Sequence, residues 1–334
     1  MKAVIKRFSR SSVERLLLWL ASPIAAAFDR FITGNAAYGA FSRHGFHLLR
    51  KHYYLPIPDK EDLNDRSQRE PAELVGIDMN DAAALNLLHG MVAEANIEFR
   101  RLFPLHATDD PSHFFLINGG FMAGDAHVYW AFLRRLKPKR VIEIGAGNST
   151  VLAAHACRLN AAEGTPTRLI AIEPYPSQAL KKGISGLDCL IEKRVQDVDL
   201  SVFLELEAGD ILFIDSSHVL RPGGDVQREY CEILPRLPEG VFVHIHDISL
   251  PKPYFSVYFQ NHLYWNEQYL LQAFLTFNDR YEVVWPGTYL LHRYPDEMHA
   301  AFPEIAEMRK TYPLAEPSSF WIRRKRECEI ANRQ

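Results

Sequence analysis

Five short apolar runs rich in β-branched residues constrain this chain more than any other feature of its sequence. The runs are RVIEIG, RLIAIEP, CLIEKRV, DILFID and GVFVHIHD, and they lie between positions 140 and 247. Segments long enough to form a helix separate the runs, which is the pattern of strands joined by helical crossovers. We therefore predict an α/β fold in which five parallel strands form a doubly wound, Rossmann-like sheet with helices on both faces.

The end of the chain departs from this pattern. Two strand-like runs, YEVVW and TYLLHRY, are joined only by Pro286 and Gly287. So short a link permits an antiparallel hairpin and excludes a helical crossover, so we expect the sheet to end in a terminal antiparallel hairpin. The predicted organisation is an N-terminal helical region at 1–115, the sheet domain at 116–300 and a C-terminal extension at 301–334. The sequence RRKRE gives that extension a basic tail, which we interpret as a solvated end.

Charge and cysteine content limit the partners and the compartment. The 334-residue chain has a formal net charge of −3, which gives no electrostatic reason to expect a nucleic acid partner. Its four cysteines form no CxxC pair and are too sparse for a disulfide framework. We therefore expect a cytoplasmic protein.

Residues 1–15 are basic, and an apolar run that contains Pro23 follows at 16–28. The run is too short to span a bilayer. Two interpretations remain for it: a helical pair that packs on the main domain, or an amphipathic helix that lies on a membrane surface. The first is favoured, and the second leaves peripheral membrane contact open.

The first predicted strand leads into a glycine turn, and in doubly wound sheets this turn contacts the ligand. Gly145 allows the tight turn, and Gly147 lets a ligand approach the backbone without a Cβ atom in the way. Ser149 or Thr150 can cap the helix that follows. Thr150 also stands where a dinucleotide site requires a third glycine.

Two carboxylates narrow the identity of the ligand. Glu143, two residues before the turn, suits a ligand with a cationic amino group and disfavours a pyrophosphate. Glu173 ends the second strand, where a carboxylate can accept both hydroxyls of a ribose. The pair favours a nucleoside that carries an amino acid over a dinucleotide.

The ordered set VIEIGAGNST, IAIEP, QDVD and DILFID, followed by the reversed hairpin, resembles the class I S-adenosylmethionine-dependent methyltransferases over residues 115–295. The resemblance implies the class I methyltransferase fold and S-adenosyl-L-methionine as the cofactor. It places Glu143, Gly145, Ala146 and Gly147 at the methionine part, Glu173 at the ribose, Pro174 by the adenine, and Gln196 and Asp197 at the adenine amino group. Ser149, Thr150 and Asp215 complete the predicted cofactor set.

A second group of polar residues follows the fourth and fifth strands, whose carboxyl ends are neighbours at the mouth of the sheet. Asp215 and His218 follow the fourth strand, and His244, His246 and Asp247 come from the fifth. Alternate strand residues share a face, so His244 and His246 are expected to point the same way. Carboxylate and imidazole groups that converge in this manner can bind a divalent metal.

This arrangement resembles the catechol and caffeoyl-CoA O-methyltransferases, and the chain also resembles the macrolide and sugar O-methyltransferases. In the catechol group, carboxylates after these two strands coordinate magnesium, which grips the substrate hydroxyl. The matching positions here are Asp215, His246 and Asp247. Because His246 replaces a carboxylate, manganese, iron or zinc suits the site better than magnesium, and a polar cluster without metal is the alternative.

His218 lies three residues beyond Asp215, where the catechol enzymes carry a lysine that serves as the base. A neutral imidazole can accept a hydroxyl proton near neutral pH, and Asp215 can orient it. An aromatic-rich segment follows, and its candidates for a substrate wall are Tyr254, Tyr258, Tyr264 and Trp265. A helix packed through these aromatic side chains is the alternative. Asp125 and His127 are minor candidates for a segment that covers the cofactor.

Together these features predict an S-adenosylmethionine-dependent O-methyltransferase, with or without a divalent metal. Its substrate would be a small hydroxyl-bearing molecule such as a sugar, a glycan precursor or a polyketide-type metabolite. Three alternatives remain open: an NAD-linked oxidoreductase, which Thr150 and the terminal hairpin oppose; a non-haem iron oxygenase, suggested by HIHD; and a catalytically silent cofactor-binding protein. The oligomeric state has no signature in the sequence.

Overall fold

The computed structural model of this chain describes residues 10–31, 35–49, 51–64, 70–110 and 113–331. The chain forms two compact units, Met1–Pro58 and Asp59–Gln334. The first unit contains helix α1 (Arg10–Phe31) and helix α2 (Asn35–Ser42). No helix in the described part of the chain combines the length and the apolar character that a bilayer crossing requires.

The second unit is built on a sheet, which has seven strands within the described residues. They are β1 (Arg140–Ile144), β2 (Arg168–Ile172), β3 (Cys189–Ile191), β4 (Ile211–Ile214), β5 (Phe242–Ile245), β6 (Tyr281–Pro286) and β7 (Phe320–Arg324). Their order across the sheet is β3-β2-β1-β4-β5-β7-β6. Strands β1 to β5 are parallel, and β7 is antiparallel to both β5 and β6. This topology confirms the predicted class I methyltransferase fold.

Helices cover both faces of this sheet. They are α3 (Lys60–Leu63), α4 (Asp81–Leu87), α5 (Ala93–Leu102), α6 (Asp125–Leu136), α7 (Asn148–Ala162), α8 (Gln178–Lys181), α9 (Ser201–Leu204), α10 (Asp225–Arg228), α11 (Ser256–Gln260), α12 (Glu267–Leu275), α13 (Gly287–Arg293), α14 (Pro295–Ala301), α15 (Glu304–Thr311) and α16 (Glu327–Ala331). A π-helical turn at Leu88–Val92 joins α4 to α5, and another at Glu229–Ile233 continues α10. Alternate strand residues enter two separate cores: Val141 and Phe213 pack on one face, and Ile142 and Leu212 on the other.

The second strand of the terminal antiparallel pair was predicted wrongly. TYLLHRY is not a strand: the chain turns into helix α13 at Gly287, and Leu290 and Leu291 are buried. Gly287 packs so closely on Ser319 that an added Cβ atom would lie 2.9 Å from the Ser319 carbonyl oxygen. The partner of β6 is β7, which lies between β5 and β6 and is buried on both faces at Trp321 and Ile322.

The position of β7 also changes the predicted domain boundaries. Residues assigned to a C-terminal extension supply an internal strand of the sheet, and Arg323 of the predicted basic tail pairs with Glu282 of β6 at 2.6 Å. At the other end, α4 and α5 belong to the second compact unit, which begins at Asp59 rather than near residue 116.

Candidate active site

Strand β1 leads through the glycine turn into helix α7, as predicted. Gly145 has a φ of +85°, and a Cβ atom added there would lie 1.9 Å from the carbonyl oxygen of Asp215. Both the backbone conformation and the neighbouring strand end therefore require glycine. Gly147 differs, because no described atom lies within 4 Å of a Cβ atom added to it. The turn is closed against β4 at Gly145 and open at Gly147.

A cavity of about 280 Å³ lies at the carboxyl ends of β1, β2 and β4, and we call it the turn cavity. The predicted cofactor residues that line it are Gly145, Glu173, Pro174, Gln196 and Asp215. Glu173 Oε2 accepts a hydrogen bond from Ala146 N at 3.2 Å, and Oε1 accepts one from Tyr175 N at 2.7 Å. These bonds hold the carboxylate at the end of β2 against the glycine turn, at the position predicted for a ribose.

Six predicted cofactor residues are not among those that line the turn cavity: Glu143, Ala146, Gly147, Ser149, Thr150 and Asp197. Glu143 is fully buried and accepts a hydrogen bond from the Tyr129 hydroxyl at 2.9 Å. Burial raises the pKa of Glu143 to about 7, although the Thr150 and Tyr129 hydroxyls oppose the shift. Asp197 forms an ion pair with Arg194 at 2.7 Å, and both side chains are exposed. The contact of Asp197 with the adenine stays a prediction, and in this structure the carboxylate is paired with Arg194.

Ser149 and Thr150 lie in the first turn of α7, and both are buried. Thr150 Oγ1 accepts a hydrogen bond from Gly147 N at 3.1 Å. The threonine thus satisfies a backbone donor at the helix start from inside the helix. It fixes the glycine turn and does not reach the turn cavity.

Asp215, His246 and Asp247 converge at the carboxyl ends of β4 and β5, as predicted. One ligand atom from each residue lies within 4.8 Å of the other two. His246 Nδ1 is 3.7 Å from Asp215 Oδ1 and 3.5 Å from Asp247 Oδ1. These distances are too long for hydrogen bonds, and neither ring nitrogen of the buried His246 has a hydrogen-bond partner among the described residues.

The electrostatics of this cluster favour a cation. Burial lowers the pKa of His246, but Asp247 and Asp215 raise it more, so the pKa lies well above its ordinary value. Burial raises the pKa of Asp247, but His246 and His218 beside it lower that pKa more. The lowered pKa of Asp247 favours its charged form, and the cluster favours positive charge beside that carboxylate, whether on an imidazolium or on a metal ion.

His218 faces both carboxylates of the cluster. Its Nε2 atom lies 3.4 Å from Asp215 Oδ1 and 3.4 Å from Asp247 Oδ2. Burial lowers the pKa of His218, but Asp215 and Glu267 raise it more, and the pKa lies well above its ordinary value. The raised pKa favours the protonated ring, and positive charge placed beside the carboxylates would favour the neutral ring that can accept a proton.

A second cavity, of about 360 Å³, is lined by Asp247, and we call it the acceptor cavity. Its polar lining includes Asp125 and Ser318, and its aromatic lining includes Phe255 and Tyr258. Asp215 lines the turn cavity, so each cavity contributes one carboxylate to the pair that faces His218. His218 therefore lies beside one carboxylate from each of the two cavities.

One of the four aromatic residues predicted to form a substrate wall lines the acceptor cavity. Tyr258 lines the acceptor cavity and stacks on Trp265, with ring centroids 4.4 Å apart and planes at 29°. Trp265 in turn lies 4.4 Å from the His218 ring. Tyr254 is buried, and Tyr264 contacts His262, so neither lines the acceptor cavity.

Two histidines of the predicted set lie in the core. His244 shares a face with His246, as expected, but it packs on Phe213 at 4.0 Å between ring centroids and does not reach the cluster. His127 is also fully buried, accepts a hydrogen bond from Gly124 N, and packs on Phe99.

Glu267 and Ser318 have no site signature in the sequence, and Asp125 has only a weak one. Glu267 Oε2 lies 2.9 Å from His218 Nδ1. Asp125 Oδ2 lies 3.6 Å from His246 Nε2, and Ser318 Oγ donates a hydrogen bond to Asp247 Oδ1 at 3.2 Å. Each comes from a segment distant in sequence from β4 and β5, so its role depends on the tertiary fold.

The chain is also similar to known proteins. Residues 142–248, which include the end of β1, strands β2 to β5 and the histidine–carboxylate cluster, match a family described as a methyltransferase domain. An uncharacterized protein of Archaeoglobus fulgidus is 34% identical over 168 residues, which cover 47% of this chain and 72% of the relative.

Two solved structures are also similar. One is a Plasmodium falciparum protein assigned as a protein-L-isoaspartate O-methyltransferase, in complex with S-adenosyl-L-homocysteine. It is 19% identical, covers 49% of this chain and 83% of its own, and has a TM-score of 0.25. The other, StiE O-MT residues 942–1257, is 12% identical, covers 60% and 75% of the two chains, and has a TM-score of 0.26. Both scores are too low to assign a fold, which is identified here by the strand order.

Proposed function

Because this chain belongs to the family of the Archaeoglobus fulgidus protein and carries a methyltransferase domain, we propose that it is an S-adenosyl-L-methionine-dependent O-methyltransferase. The acceptor is a small hydroxylated metabolite, a sugar or a glycan precursor. One observation carries the proposal: His218 Nε2 lies 3.4 Å from two carboxylates, and each of them lines a different cavity. A donor and an acceptor in the two cavities would meet beside a single proton-accepting group.

The turn cavity is the proposed place of the methyl donor. Glu173, already fixed by two backbone amides, would accept the ribose hydroxyls, and Pro174 and Gln196 would border the adenine. The open space at Gly147 lets the methionine part approach the backbone. When bound, S-adenosyl-L-methionine supplies an electrophilic methyl group, and the chain orients the acceptor toward it. Ser149, Thr150 and Glu143 support this site from the buried side of the turn.

Asp215, His246 and Asp247 are proposed as ligands of a divalent metal. The fit rests on the 4.8 Å convergence of their ligand atoms and on the unpartnered, buried nitrogens of His246 within the described residues. One nitrogen and two carboxylate oxygens suit manganese or iron, and they suit magnesium less well. When bound, such an ion would stabilise negative charge on the acceptor oxygen.

His218 is proposed as the group that takes the hydroxyl proton, with Asp215 beside it. Both lie at the mouth of the sheet, between the two cavities, and Trp265 packs on the imidazole ring. Transfer of a methyl group needs an aligned acceptor oxygen that has lost its proton, and a neutral His218 ring with a free Nε2 lone pair meets the second need. The aromatic face of Tyr258 suits a ring-shaped acceptor, either a sugar or an aryl group.

The proposal is tested with S-adenosyl-L-methionine labelled on its methyl group and a panel of sugars, glycan precursors and phenols. We expect transfer of label to at least one hydroxylated compound, and loss of about 100-fold or more in turnover for His218→Asn. Affinity for S-adenosyl-L-homocysteine should stay nearly unchanged in that variant. Equal loss of turnover and of affinity would contradict the role of His218, and label found on nitrogen or carbon acceptors alone would contradict O-methylation.

A further inference from the structure

Several hydrogen bonds connect the loop that contains His218 to the start of helix α12. Its carbonyl oxygen accepts hydrogen bonds from Asn266 N at 3.0 Å and from Glu267 N at 3.2 Å. The Asn266 side chain accepts a hydrogen bond from Leu220 N at 2.6 Å. His218 itself has a φ of +58°, a left-handed conformation that is unusual for a residue with a side chain. The surrounding contacts therefore impose the conformation of this loop.

The imidazole ring is held from the same helix. Glu267 Oε2 lies 2.9 Å from His218 Nδ1, and the carboxylate is fully buried. The other oxygen, Oε1, accepts a hydrogen bond from the hydroxyl of the buried Tyr230 at 3.1 Å. Tyr230 lies in the π-helical turn at Glu229–Ile233, a local geometry that is frequent at functional sites.

We infer that Glu267 is a positioning residue for His218, a role that rests on the proposed function of that histidine. A carboxylate accepts hydrogen bonds and has none to donate, so its contact with Nδ1 requires a proton on that nitrogen. The remaining nitrogen, Nε2, is thereby directed at Asp215 and Asp247, between the two cavities. Glu267 thus fixes both the orientation of the ring and the nitrogen that is available to an acceptor hydroxyl.

Glu267 lies outside residues 142–248, the part of the chain that matches the methyltransferase domain. It comes from the segment between β5 and β6, which also supplies Trp265, whose ring centroid lies 4.4 Å from that of the imidazole. Two contacts from one segment, the Glu267 contact with Nδ1 and the packing of Trp265 on the ring, leave the ring little freedom. The segment between β5 and β6 therefore contributes residues to the site, in addition to those at the ends of β4 and β5.

The test uses two variants and a matched control in the full chain. Glu267→Leu removes the acceptor at similar size, and Glu267→Gln keeps an oxygen that can still accept from Nδ1. Asp210→Asn changes another buried carboxylate, which holds Arg140 N and Glu207 N ahead of β4. The first readout is the proton resonance of His218 Nδ1, observed with ¹⁵N-labelled protein and assigned by its loss in His218→Asn.

We expect a hydrogen-bonded Nδ1 proton resonance in the wild type, in Glu267→Gln and in Asp210→Asn, and its loss in Glu267→Leu. We also expect turnover to fall at least about tenfold in Glu267→Leu, with Glu267→Gln intermediate and the acceptor KM and the S-adenosyl-L-homocysteine Kd little changed. A resonance absent from the wild type or retained in Glu267→Leu would overturn the inference. Because the resonance needs neither donor nor acceptor, it separates this failure from a failure of the proposed function.

A different observation concerns helix α1 of the first unit. Leu16, Leu17, Leu18 and Trp19 are consecutive and are 56%, 60%, 73% and 73% exposed. No described residue of this unit covers them. A basic stretch of sequence precedes these four residues: positions 1–15 contain five lysines or arginines and one glutamate.

We also propose that α1 binds an anionic membrane surface. Its apolar run at 16–28 is too short to cross a bilayer but long enough to enter the headgroup boundary, where tryptophan is favoured. The adjacent positive charge attracts anionic lipid, is indifferent to neutral surfaces and repels basic partners. Apolar insertion and charge thus act together at one end of the chain.

Co-sedimentation of the full chain with lipid vesicles tests this proposal. We expect binding to vesicles that contain phosphatidylserine, weak binding to pure phosphatidylcholine, and release at high salt. Trp19→Glu should abolish binding, whereas the control Phe277→Glu, which changes a side chain 80% exposed in the second unit, should not. Absence of binding to either vesicle, or self-association of the lipid-free chain that Trp19→Glu abolishes, would overturn it.

Discussion

The backbone of Gly145 lies directly against the carbonyl oxygen of Asp215, so that a Cβ atom added at Gly145 would come within 1.9 Å of it. Gly145→Ala should therefore destabilise the fold by more than about 2 kcal/mol, since strain at positive φ adds to the clash. Chemical denaturation measures the change in the free energy of unfolding. Gly147→Ala is the matched control, because space at Gly147 is open; it should keep the wild-type stability and weaken binding of S-adenosyl-L-homocysteine instead. Equal free energies of unfolding for the two variants would contradict the close contact between Gly145 and Asp215.

Trp321 of β7 is a second test of the fold. It is fully buried and stacks on Phe132 with ring centroids 4.1 Å apart. Trp321→Ala should lower the free energy of unfolding by about 3–5 kcal/mol, as expected for a large side chain lost from a core. Ile97→Ala, at a position 75% exposed on α5, should change it by less than about 0.5 kcal/mol. A Trp321→Ala protein as stable as the wild type would mean that β7 is dispensable.

The sheet shows how far the sequence predicts this fold. Five parallel strands follow from the alternation of apolar runs and helix-length segments, because a buried parallel strand needs apolar side chains on both faces. The last strand does not follow. The sequence at Gly287 predicts a hairpin turn, but Gly287 packs closely on Ser319 and a helix begins there. Strand β7 is hard to predict because arginines follow Ile322 and make the segment resemble an exposed tail. Long-range contacts decide both points.

Metal content provides a third test. Protein purified without chelator should contain manganese, iron or another divalent ion by elemental analysis, and Asp247→Ala should lose it. Glu316→Gln changes another carboxylate of the acceptor cavity that does not contact the cluster, so it should keep the ion. Methyl transfer that survives both EDTA and Asp247→Ala would exclude a catalytic role for a metal at these residues.

The stability of the fold should also depend on pH through His127. Burial lowers the pKa of His127 to about 4 from an ordinary value of 6.5, with Glu304 opposing the shift. The folded chain therefore binds fewer protons than the unfolded chain between these values, and stability is lost as the pH falls from about 6.5 to about 4. The contribution is about 3 kcal/mol.

His127→Phe should reduce that loss of stability by about the same amount, because phenylalanine fits between Phe99 and Phe302 and does not titrate. Urea denaturation of both proteins at several pH values measures the difference. Parallel stability curves for the wild type and the variant would show that His127 is not held neutral in the folded state.

In the candidate site, as in the fold, some features are predictable from the sequence and others depend on tertiary packing. Asp215, His246 and Asp247 are predictable because each ends a strand, and strand ends meet at one edge of a parallel sheet. Glu143 and Asp197 are carboxylates, a residue type suited to a cofactor site. In the structure, however, Glu143 is buried and bonded to Tyr129, and Asp197 is paired with Arg194. Residue type and order thus locate an edge of the sheet, whereas side-chain direction depends on packing.

Binding of S-adenosyl-L-homocysteine, measured by isothermal titration calorimetry, tests the central claim most directly. We expect saturable binding to the purified chain and at least about tenfold weaker binding to Glu173→Ala, which loses the carboxylate at the end of β2. NADH, which carries a pyrophosphate and no amino acid, should give no heat of binding. Binding of NADH without any response to S-adenosyl-L-homocysteine would show that the turn cavity does not bind the proposed methyl donor.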